Sequence, residues 1–425
     1  MKGRTVLGLM TLVAVVFVSP DSASKAASRP RISELVEPGA GDSPVLSLIR
    51  GAHRLIRLEI YELDDSRVIA ALGAAHRRHV DVRVLLEERP FGGGSYARDA
   101  YRALKSEGVS VRWANERAFT FTHEKAMVVD NRIAAIFTLN FTYSGFFANR
   151  EVGIVDHDPN YAKLIGSVFA SDWRRKSTGR LRLGRLVVSP LNSRRAITAL
   201  IDSAHHTLFL YEEEMADGSI EAHLIHAARR HVKVRLITSD NSAGVARLQG
   251  HGVKVAIQRS PYVHAKVIMV DGTRMFVGSE NISSTSLDRN REMGIILARE
   301  RLVGTAEAIF SRDWKNDTGG SMPGHVGHMP VAVSAHPETV VRGHLLTIAA
   351  ATRAAAACTI KVTYPDGYVS HARALEGTRT ANGQGRIRWS WRVGSTALGT
   401  AHAGVTCRLG SKSGAGKAAF QIVAS

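Results

Sequence analysis

Two histidine-lysine pairs are, by residue type and spacing, the best candidates for chemistry in this chain. His123 and Lys125 form one pair, and His264 and Lys266 form the other. On an extended strand, side chains two residues apart lie on the same face, so each pair presents an imidazole and an ammonium group together. Imidazole acts as a nucleophile or a proton donor, and lysine supplies a fixed positive charge. Together they suit a phosphoryl group, and a two-fold arrangement would place one histidine on each side of it.

Each pair opens a longer unit that the chain contains twice. The lysine is followed by an apolar run that ends in an aspartate, then by a turn and a second apolar run that ends in an asparagine. Corresponding residues of the two copies are 141 positions apart, a regularity that chance does not produce. The matched features are Asp130 and Asp271, Asn140 and Asn281, the Asn-Arg-Glu triplets 149–151 and 290–292, and the Asp-Trp pairs 172–173 and 313–314.

This duplicated pattern, H-x-K-x4-D, resembles the phospholipase D superfamily. The second copy adds a Gly-Ser-x-Asn segment, from Gly278 to Asn281. The resemblance covers residues 43 to 318, and the superfamily includes phospholipases D, cardiolipin synthases and hydrolases, and metal-independent endonucleases. It implies a two-step displacement at phosphorus without a metal or other cofactor. His123 is implied as the nucleophile that forms a phosphohistidine, and His264 as the general acid and base, although the sequence alone leaves that order open.

The resemblance also implies roles for the neighbouring polar residues. Glu151 and Glu292 would hydrogen-bond the histidines and set their tautomer. Asp130 and Asp271 complete the motifs and count among the catalytic candidates, although their distance from the lysines favours a supporting role at the hairpin. The non-bridging phosphate oxygens would be held by Lys125, Lys266, Asn140, Asn281, Thr138 and Ser279.

One position departs from the superfamily pattern. The first copy has Phe137 where the second has Gly278, so close backbone approach is doubtful on that side, and the ring either narrows the pocket or packs in the core. Both His-Lys pairs are intact, which argues against an inactive scaffold. Because both motifs lie in one chain, a monomer can complete the site.

Composition favours an anionic partner. The 425 residues carry a formal net charge of +18, which suits either nucleic acid or an acidic phospholipid surface. Several aromatic residues near the motifs could form hairpin core, an apolar rim for lipid, or a platform for bases: Phe119, Phe121, Phe141, Tyr143, Phe146, Phe147 and Tyr262. We therefore expect phospholipase D-type hydrolysis to phosphatidic acid, with a metal-independent endonuclease as the alternative and a surface-binding scaffold as a lesser one.

The N-terminus predicts export. Residues 1–27 combine early basic residues, an apolar run and small residues, which is typical of a signal peptide, with an uncleaved anchor as the alternative. No later segment is apolar enough to span a bilayer. We expect a secreted protein, with cell-surface association as a further option.

Strand and helix signals alternate through most of the chain and predict an α/β fold. We expect two pseudo-symmetric halves, 43–175 and 186–318, each with a mixed sheet and helices on both faces. An insertion in the first copy is expected at 91–95, and residues 174–185 form a basic connector between the halves. A Gly-rich linker at 319–332 leads to a small all-β sandwich at 333–425, immunoglobulin-like, whose partner the sequence does not reveal. In an exported chain its two cysteines, Cys358 and Cys407, predict a disulfide, with a two-thiol metal site as the weaker alternative.

Overall fold

The structure, a computed structural model, describes residues 32–90, 96–318, 331–337, 339–366, 368–370, 372–394, 397–410 and 412–424. The predicted signal peptide, the expected insertion at 91–95 and nearly all of the predicted linker lie outside these residues. The described chain forms two compact units that divide between Asp313 and Trp314. No described helix is long and apolar enough to cross a membrane.

The first half of the larger unit contributes seven strands, with helices between them, to an eight-stranded mixed sheet. The eighth strand, Tyr262–Val263 of the second half, pairs parallel with Asn149 and Arg150. The strands run in the order β1-β7-β6-β5-β2-β3-β4, and β2, β3 and β4 are parallel neighbours. Its elements in chain order are β1 (Ile32–Glu37), α1 (Ser43–Arg50), β2 (Leu55–Ile60), α2 (Ser66–Arg77), β3 (Asp81–Leu86), α3 (Tyr96–Ser106), β4 (Ser110–Trp113), β5 (Lys125–Val129), β6 (Ile133–Phe137), α4 (Tyr143–Phe147), β7 (Asn149–Asp156) and α5 (Pro159–Trp173).

The second half repeats this topology strand for strand. Its main sheet has the order β12-β11-β9-β14-β15-β17-β8, which is the first order read from the other edge. Its elements are β8 (Leu186–Ser189), α6 (Ser193–Asp202), β9 (Thr207–Tyr211), β10 (Met215–Ala216), α7 (Gly218–Arg229), β11 (Lys233–Thr238), α8 (Ala243–Gly250), β12 (Lys254–Ile257), β13 (Tyr262–Val263), β14 (Val267–Val270), β15 (Arg274–Gly278), β16 (Ile282–Ser283), α9 (Ser284–Asp288), β17 (Glu292–Leu297) and α10 (Glu300–Thr318).

The amino-acid pattern explains most of these elements. Strand β3 is buried along its apolar residues, as its near-continuous apolar run predicts for a central parallel strand. The carboxylate of Asp65 caps α2 by accepting from the amides of Arg67 and Val68, and Asp217 caps α7 by accepting from the amide of Ile220. Helices cover both faces of the first sheet, since α5 contacts β2, β5 and β6 while α1, α2 and α3 share a core with the opposite face. The duplicated α/β fold is thus confirmed.

The first strand of each half lies at a sheet edge. β1 lies ahead of the expected first half, 43–175, and β8 directly follows the basic connector. Each pairs antiparallel with the last strand of its own half, β7 or β17. β1 mixes polar and apolar residues, and β8 is only four residues long. Such edge strands give a weak sequence signal because one neighbouring strand, rather than a pattern of their own, holds them in place.

The smaller unit is the predicted all-β sandwich. A three-stranded sheet, β18 (Ala332–His336), β20 (Leu345–Ala351) and β23 (Arg386–Arg392), shares one core with a five-stranded sheet. The latter runs β19 (Thr339–Val341), β25 (Lys412–Val423), β24 (Gly399–Leu409), β21 (Ala357–Thr363) and β22 (Arg379–Thr380). The predicted disulfide between Cys358 and Cys407 is present. It joins directly paired residues of β21 and β24 within one sheet, whereas the disulfide of antibody domains joins two sheets.

Candidate active site

The backbone places each histidine against the opposite half. The amide of His123 donates to the carbonyl of Arg291 over 2.8 Å, and the amide of His264 donates to the carbonyl of Arg150 over 3.2 Å. Both histidines lie just before a central strand, β5 or β14, of their own half. The two motif stretches therefore meet at the junction of the halves, each held by the Asn-Arg-Glu triplet of the other copy.

The glutamates of those triplets cross between the halves as well. Glu292 Oε2 lies 2.8 Å from His123 Nδ1, and Glu151 Oε1 lies 2.7 Å from His264 Nδ1. Both glutamates are fully buried, and the histidine side chains are 12% exposed. The contact of His123 is a hydrogen bond, and because a carboxylate only accepts, Nδ1 of His123 carries the hydrogen and its Nε2 is the atom left for chemistry. The contact of His264 with Glu151 has ion-pair distance. The sequence suggested that these residues meet, but not that each histidine takes its glutamate from the other copy.

Further side chains fix the two glutamates. The hydroxyl of Thr138 donates to Glu151 Oε2 over 2.6 Å. Glu292 Oε1 accepts from the hydroxyl of Ser286 over 2.7 Å and from Asn290 Nδ2 over 2.9 Å. Neither carboxylate can rotate away without losing these bonds, so the orientation of each imidazole is set in advance of any ligand.

Thr138 and Ser279 have a different role from the predicted one. Both are fully buried. Thr138 Oγ1 accepts from the amide of Val152, and Ser279 Oγ accepts from the amide of Met293. These hydroxyls tie β6 to β7 and β15 to β17, so they support the site from within the sheet and are not exposed to a phosphate.

Two buried arginine-aspartate pairs lock the halves together. Arg150 donates to both carboxylate oxygens of Asp313 over 2.7 and 3.0 Å. Arg291 lies 2.9 and 3.0 Å from the two oxygens of Asp172. Such two-point pairs fix direction as well as distance. Sequence reasoning assigned no role to these four residues, although all of them belong to features that recur at the offset of 141.

The two motif lysines are fully buried and differ in their surroundings. Lys125 Nζ donates to the carbonyl of His123, and Lys266 Nζ to that of His264, over 2.7 and 2.6 Å. Burial lowers the pKa of Lys125 to about 7. Burial would also lower the pKa of Lys266, but neighbouring carboxylates, Glu213 first, raise it above the ordinary value. One lysine is therefore poised to lose its charge near neutrality, and the other keeps it.

The motif asparagines lie at the ends of the hairpins, as the pattern predicted. Asn140 Nδ2 donates to Glu62 Oε2 over 3.0 Å. The Oδ1 atoms of Asn140 and Asn281 are buried and have no hydrogen-bond partner within the described part of the chain. Since Asn140 Nδ2 is engaged, its predicted contact with a phosphate oxygen stays a prediction that requires exchange of partners.

The motif aspartates lie at the opposite end of their strands and have a structural role. Asp130 accepts from the amides of His53, Arg54 and Leu55. Asp271 does the same for residues 205–207. Four residues lie between each lysine and its aspartate, so the two are five residue steps apart, roughly 16 Å along the strand. Their place among the catalytic candidates is therefore wrong, and the supporting role at the hairpin is what the structure shows.

A carboxylate beside the second pair and an aromatic ring beside the first break the symmetry. Glu213 Oε2 lies 2.6 Å from Lys266 Nζ and 3.4 Å from His264 Nε2. At the equivalent position of the first half, 152 residues earlier, the ring of Tyr61 lies 4.4 Å from the ring of His123. The sequence offered one signal for Glu213, its place in an acidic run at the end of a predicted strand, and sequence reasoning drew nothing from it.

The charge states of His123 and Glu213 follow from this arrangement. Burial lowers the pKa of His123 to about 4, and nearby Lys125 acts in the same direction, against the opposing effect of Glu292. Burial would raise the pKa of Glu213, but His264 and Lys266 hold it at about 2. At neutral pH the site thus presents a neutral imidazole at His123 and an ionised carboxylate next to His264.

Behind the first motif lies a buried group of acidic residues. Glu59, Glu124 and Asp172 each place a carboxylate oxygen within 4.8 Å of the others. Burial raises the pKa of Glu124 to about 8, and Asp172 adds to the effect. The second half has Tyr211 and Ala265 at the positions of Glu59 and Glu124, so this accumulation of charge is particular to the first half.

The aromatic residues near the motifs divide into two classes. Phe141 and Phe146 are fully buried core, as is Phe137, which packs edge-on against Phe141 at 5.3 Å. Phe137 therefore packs rather than narrowing the site. Tyr143 and Tyr262 are 61% and 44% exposed.

The fold and the paired motifs agree with what this chain matches. It matches the family described as "Cardiolipin synthase, PLD-like domain" over residues 45–173 and 197–314, which together exceed half of the chain. It belongs to the phospholipase D superfamily. Each matched PLD-like segment carries one of the two His-Lys pairs, so the observed duplication is a duplication of this domain.

Individual relatives cover parts of the chain. Cardiolipin synthase A of Pseudomonas fluorescens is 32% identical over 115 residues, 27% of this chain and 24% of that protein. The chain thus spans about a quarter of the length of the curated relatives it matches. Phosphatidylserine synthase of Haemophilus influenzae has a TM-score of 0.52 at 12% identity, covering 68% of this chain and 86% of that one. Polyphosphate kinase of Porphyromonas gingivalis has a TM-score of 0.54 at 16% identity, covering 67% and 50%. At these identities the structural similarity shows the fold alone.

Proposed function

We propose that this PLD-like protein is an exported phosphodiesterase that hydrolyses a phospholipid to phosphatidic acid and an alcohol. The observation that carries the proposal is the crossed pairing of each motif histidine with a buried glutamate of the other half, at 2.8 and 2.7 Å. This arrangement directs two Nε2 atoms to chemistry in one site. Such a pair suits in-line displacement at phosphorus, where one group attacks and the other serves the leaving oxygen.

The proposed reaction has two steps. His123 Nε2 attacks phosphorus, and the leaving alcohol takes a proton from His264 Nε2. A water molecule, whose proton passes to His264, then displaces His123 from the phosphohistidine. The neutral state of His123 suits a nucleophile, and the buried lysines supply positive charge for the phosphate oxygens.

Three features support a lipid substrate and an exported protein. The relatives that the chain matches in sequence are cardiolipin synthases, whose name concerns a phospholipid. Exposed Tyr143 and Tyr262, next to the two motifs, suit the boundary between an apolar phase and water. The disulfide between Cys358 and Cys407 fits an oxidising compartment.

The test uses the purified protein in chelator with vesicles of phosphatidylcholine, vesicles of cardiolipin, and single- and double-stranded DNA. We expect release of phosphatidic acid, and no release by His123→Ala. DNA cleavage with the same dependence on His123 would keep the mechanism and replace the substrate with nucleic acid, which the net charge of +18 also suits. Loss of turnover in chelator would refute the metal-independent mechanism.

A further inference from the structure

The carboxylate of Glu213 occupies a place in the site that the displacement chemistry has not yet used. Oε2 lies 3.4 Å from His264 Nε2 and 2.6 Å from Lys266 Nζ, and Oε1 accepts from the hydroxyl of Tyr262 over 3.3 Å. Its side chain is 23% exposed, more than the histidines or the lysines. This carboxylate is therefore the most solvent-accessible of the three charged or titratable groups in the contact.

The first half has no equivalent group at this position. Tyr61 presents its ring to His123, and Lys125 Nζ lies 4.9 Å from the centre of that ring. The face of a phenol ring offers no strong acceptor to an incoming hydroxyl, whereas an ionised carboxylate offers two oxygens. The side of the site served by His264 therefore recognises hydrogen-bond donors in a way that the His123 side does not.

We propose that Glu213, beside His264 and Tyr262, forms an acceptor subsite that receives water, or an alcohol with a second hydrogen-bond donor, and disfavours simple alcohols. This inference rests on the two-step reaction proposed above. In the second step the incoming oxygen forms a bond to phosphorus, and the bond from phosphorus to His123 Nε2 breaks with its electron pair returning to that nitrogen. The proton of the incoming hydroxyl goes to His264 Nε2. Glu213 gains and loses nothing, and accepts one hydrogen bond.

The number of hydrogens on the acceptor decides the selection. Water has two, so one O–H faces His264 Nε2 and the other faces Glu213. A simple alcohol has one hydroxyl hydrogen, which faces His264 Nε2. Its carbon chain then displaces solvent from the Glu213 carboxylate without replacing the hydrogen bond that the solvent donated. Losing one hydrogen bond to a charged group disfavours the alcohol by about 10- to 100-fold. A diol regains the contact through its second hydroxyl.

The experiment measures how the phosphoenzyme partitions between acceptors. The substrate is bis-p-nitrophenyl phosphate, and the competing acceptors are ethylene glycol and 1-propanol, which have the same number of heavy atoms. Mass spectrometry of the products gives the ratio of transfer to hydrolysis for each. We expect the wild-type protein to transfer to the glycol at least about tenfold more than to propanol at equal concentration. This ratio is independent of enzyme concentration and of folded fraction.

Variants then assign the preference to Glu213. Glu213→Leu should bring the ratio of glycol to propanol transfer close to one, and Glu213→Tyr, which installs the residue of the first half, should do the same. Glu214→Gln is the matched control, because it alters the adjacent carboxylate, which hydrogen-bonds Ser283, and the ratio should stay as in the wild type. Equal transfer to both alcohols by the wild-type protein, or a preference that survives in Glu213→Leu, would overturn the proposal.

The outcomes separate this proposal from that of the lipid substrate. If phosphatidylcholine is not cleaved but the soluble diester is, the substrate assignment fails and the acceptor ratio still decides the role of Glu213. If Glu213→Leu and Glu213→Tyr do not turn over, Glu213→Gln takes their place: it weakens the charge-assisted hydrogen bond and should lower the ratio of glycol to propanol transfer, and an unchanged ratio would overturn the proposal. A wild-type protein that releases no nitrophenol refutes the two-step displacement and this inference with it.

Discussion

Replacing Glu124 by glutamine should stabilise the larger unit at alkaline pH and leave it nearly unchanged in mild acid. Glu124 is fully buried, with both carboxylate oxygens unpartnered within the described structure. Burial and Asp172 raise its pKa from 4.5 to about 8. Between these values the folded protein keeps a proton that the unfolded chain has released. The contribution of Glu124 to stability is therefore complete below pH 4.5 and is lost as the pH rises to 8.

The size of the effect follows from that interval. At about 1.4 kcal/mol per pH unit, 3.5 pH units amount to about 5 kcal/mol lost by the wild type and retained by Glu124→Gln. For a unit of this size, about 2 °C of Tm corresponds to each kcal/mol. Part of this interval is already passed at pH 5, so about 4 kcal/mol separates pH 5 from pH 9. We therefore expect the Tm of Glu124→Gln to exceed that of the wild type by about 8 °C more at pH 9 than at pH 5.

Differential scanning calorimetry of both proteins at pH 5 and pH 9 measures this difference directly. Exposed Glu300 provides the control, because Glu300→Gln removes the same charge from the surface and should give equal Tm differences at both pH values. A Tm difference for Glu124→Gln that does not change with pH would refute the reasoning. If chelator lowered the wild-type Tm and Glu124→Gln were destabilised at both pH values, a cation held by the three carboxylates, rather than protons, would be the explanation.

Three further predictions concern the site. The first uses bis-p-nitrophenyl phosphate, whose leaving group needs no protonation. Glu151→Gln should keep a burst of nitrophenol while steady turnover falls on the order of 10³-fold, and Glu292→Gln should lose the burst. Stopped-flow absorbance measures both, and the opposite pattern would make His264 the nucleophile. Because the pKa of Lys125 is lowered to about 7, kcat/KM should fall as the pH rises above 7 and the lysine loses its charge. A plot of kcat/KM against pH that stays flat to pH 9 would contradict this. Arg291→Lys should lower the free energy of unfolding in urea by about 3 kcal/mol, because it breaks a buried two-point pair. Arg83→Lys, in an exposed pair with Asp81, should lower it by less than about 1 kcal/mol. Equal losses would refute the locking role of Arg291.

The sequence predicted the residues that recur in both copies, but it did not predict the contacts that join one half to the other. The offset of 141 identified the histidines, the lysines and the triplets, and alternating apolar runs predicted the sheets, because both signals are local. The partner of each histidine depends on how two halves pack, and no local pattern states that Glu292 reaches His123 rather than His264. Thr138 shows the same limit, since a hydroxyl next to a motif reads as a ligand for phosphate until the pairing of β6 with β7 shows it buried against Glu151.

Departures between the copies were the harder signal. Phe137 stands where the second copy has a glycine, so it interrupts a motif, but its ring lies in the core. Glu213 stands where the first copy has Tyr61, outside any motif, so no pattern marks it, although it changes the chemistry next to His264. The effect of a difference between the copies depends on what the side chain contacts in the fold, and the sequence shows only that the two residues differ.

Tyr61 and Glu213, at equivalent positions of the two halves, have a consequence for how this protein can change in evolution. In an enzyme assembled from two identical chains, every substitution appears on both sides of the site, so attack and release must be served by the same residues. Fusion of the copies into one chain removes that constraint. One side can keep a ring against its histidine while the other acquires a carboxylate, and each can be altered without disturbing its twin. New acceptor preferences are therefore open to single substitutions in the second copy alone.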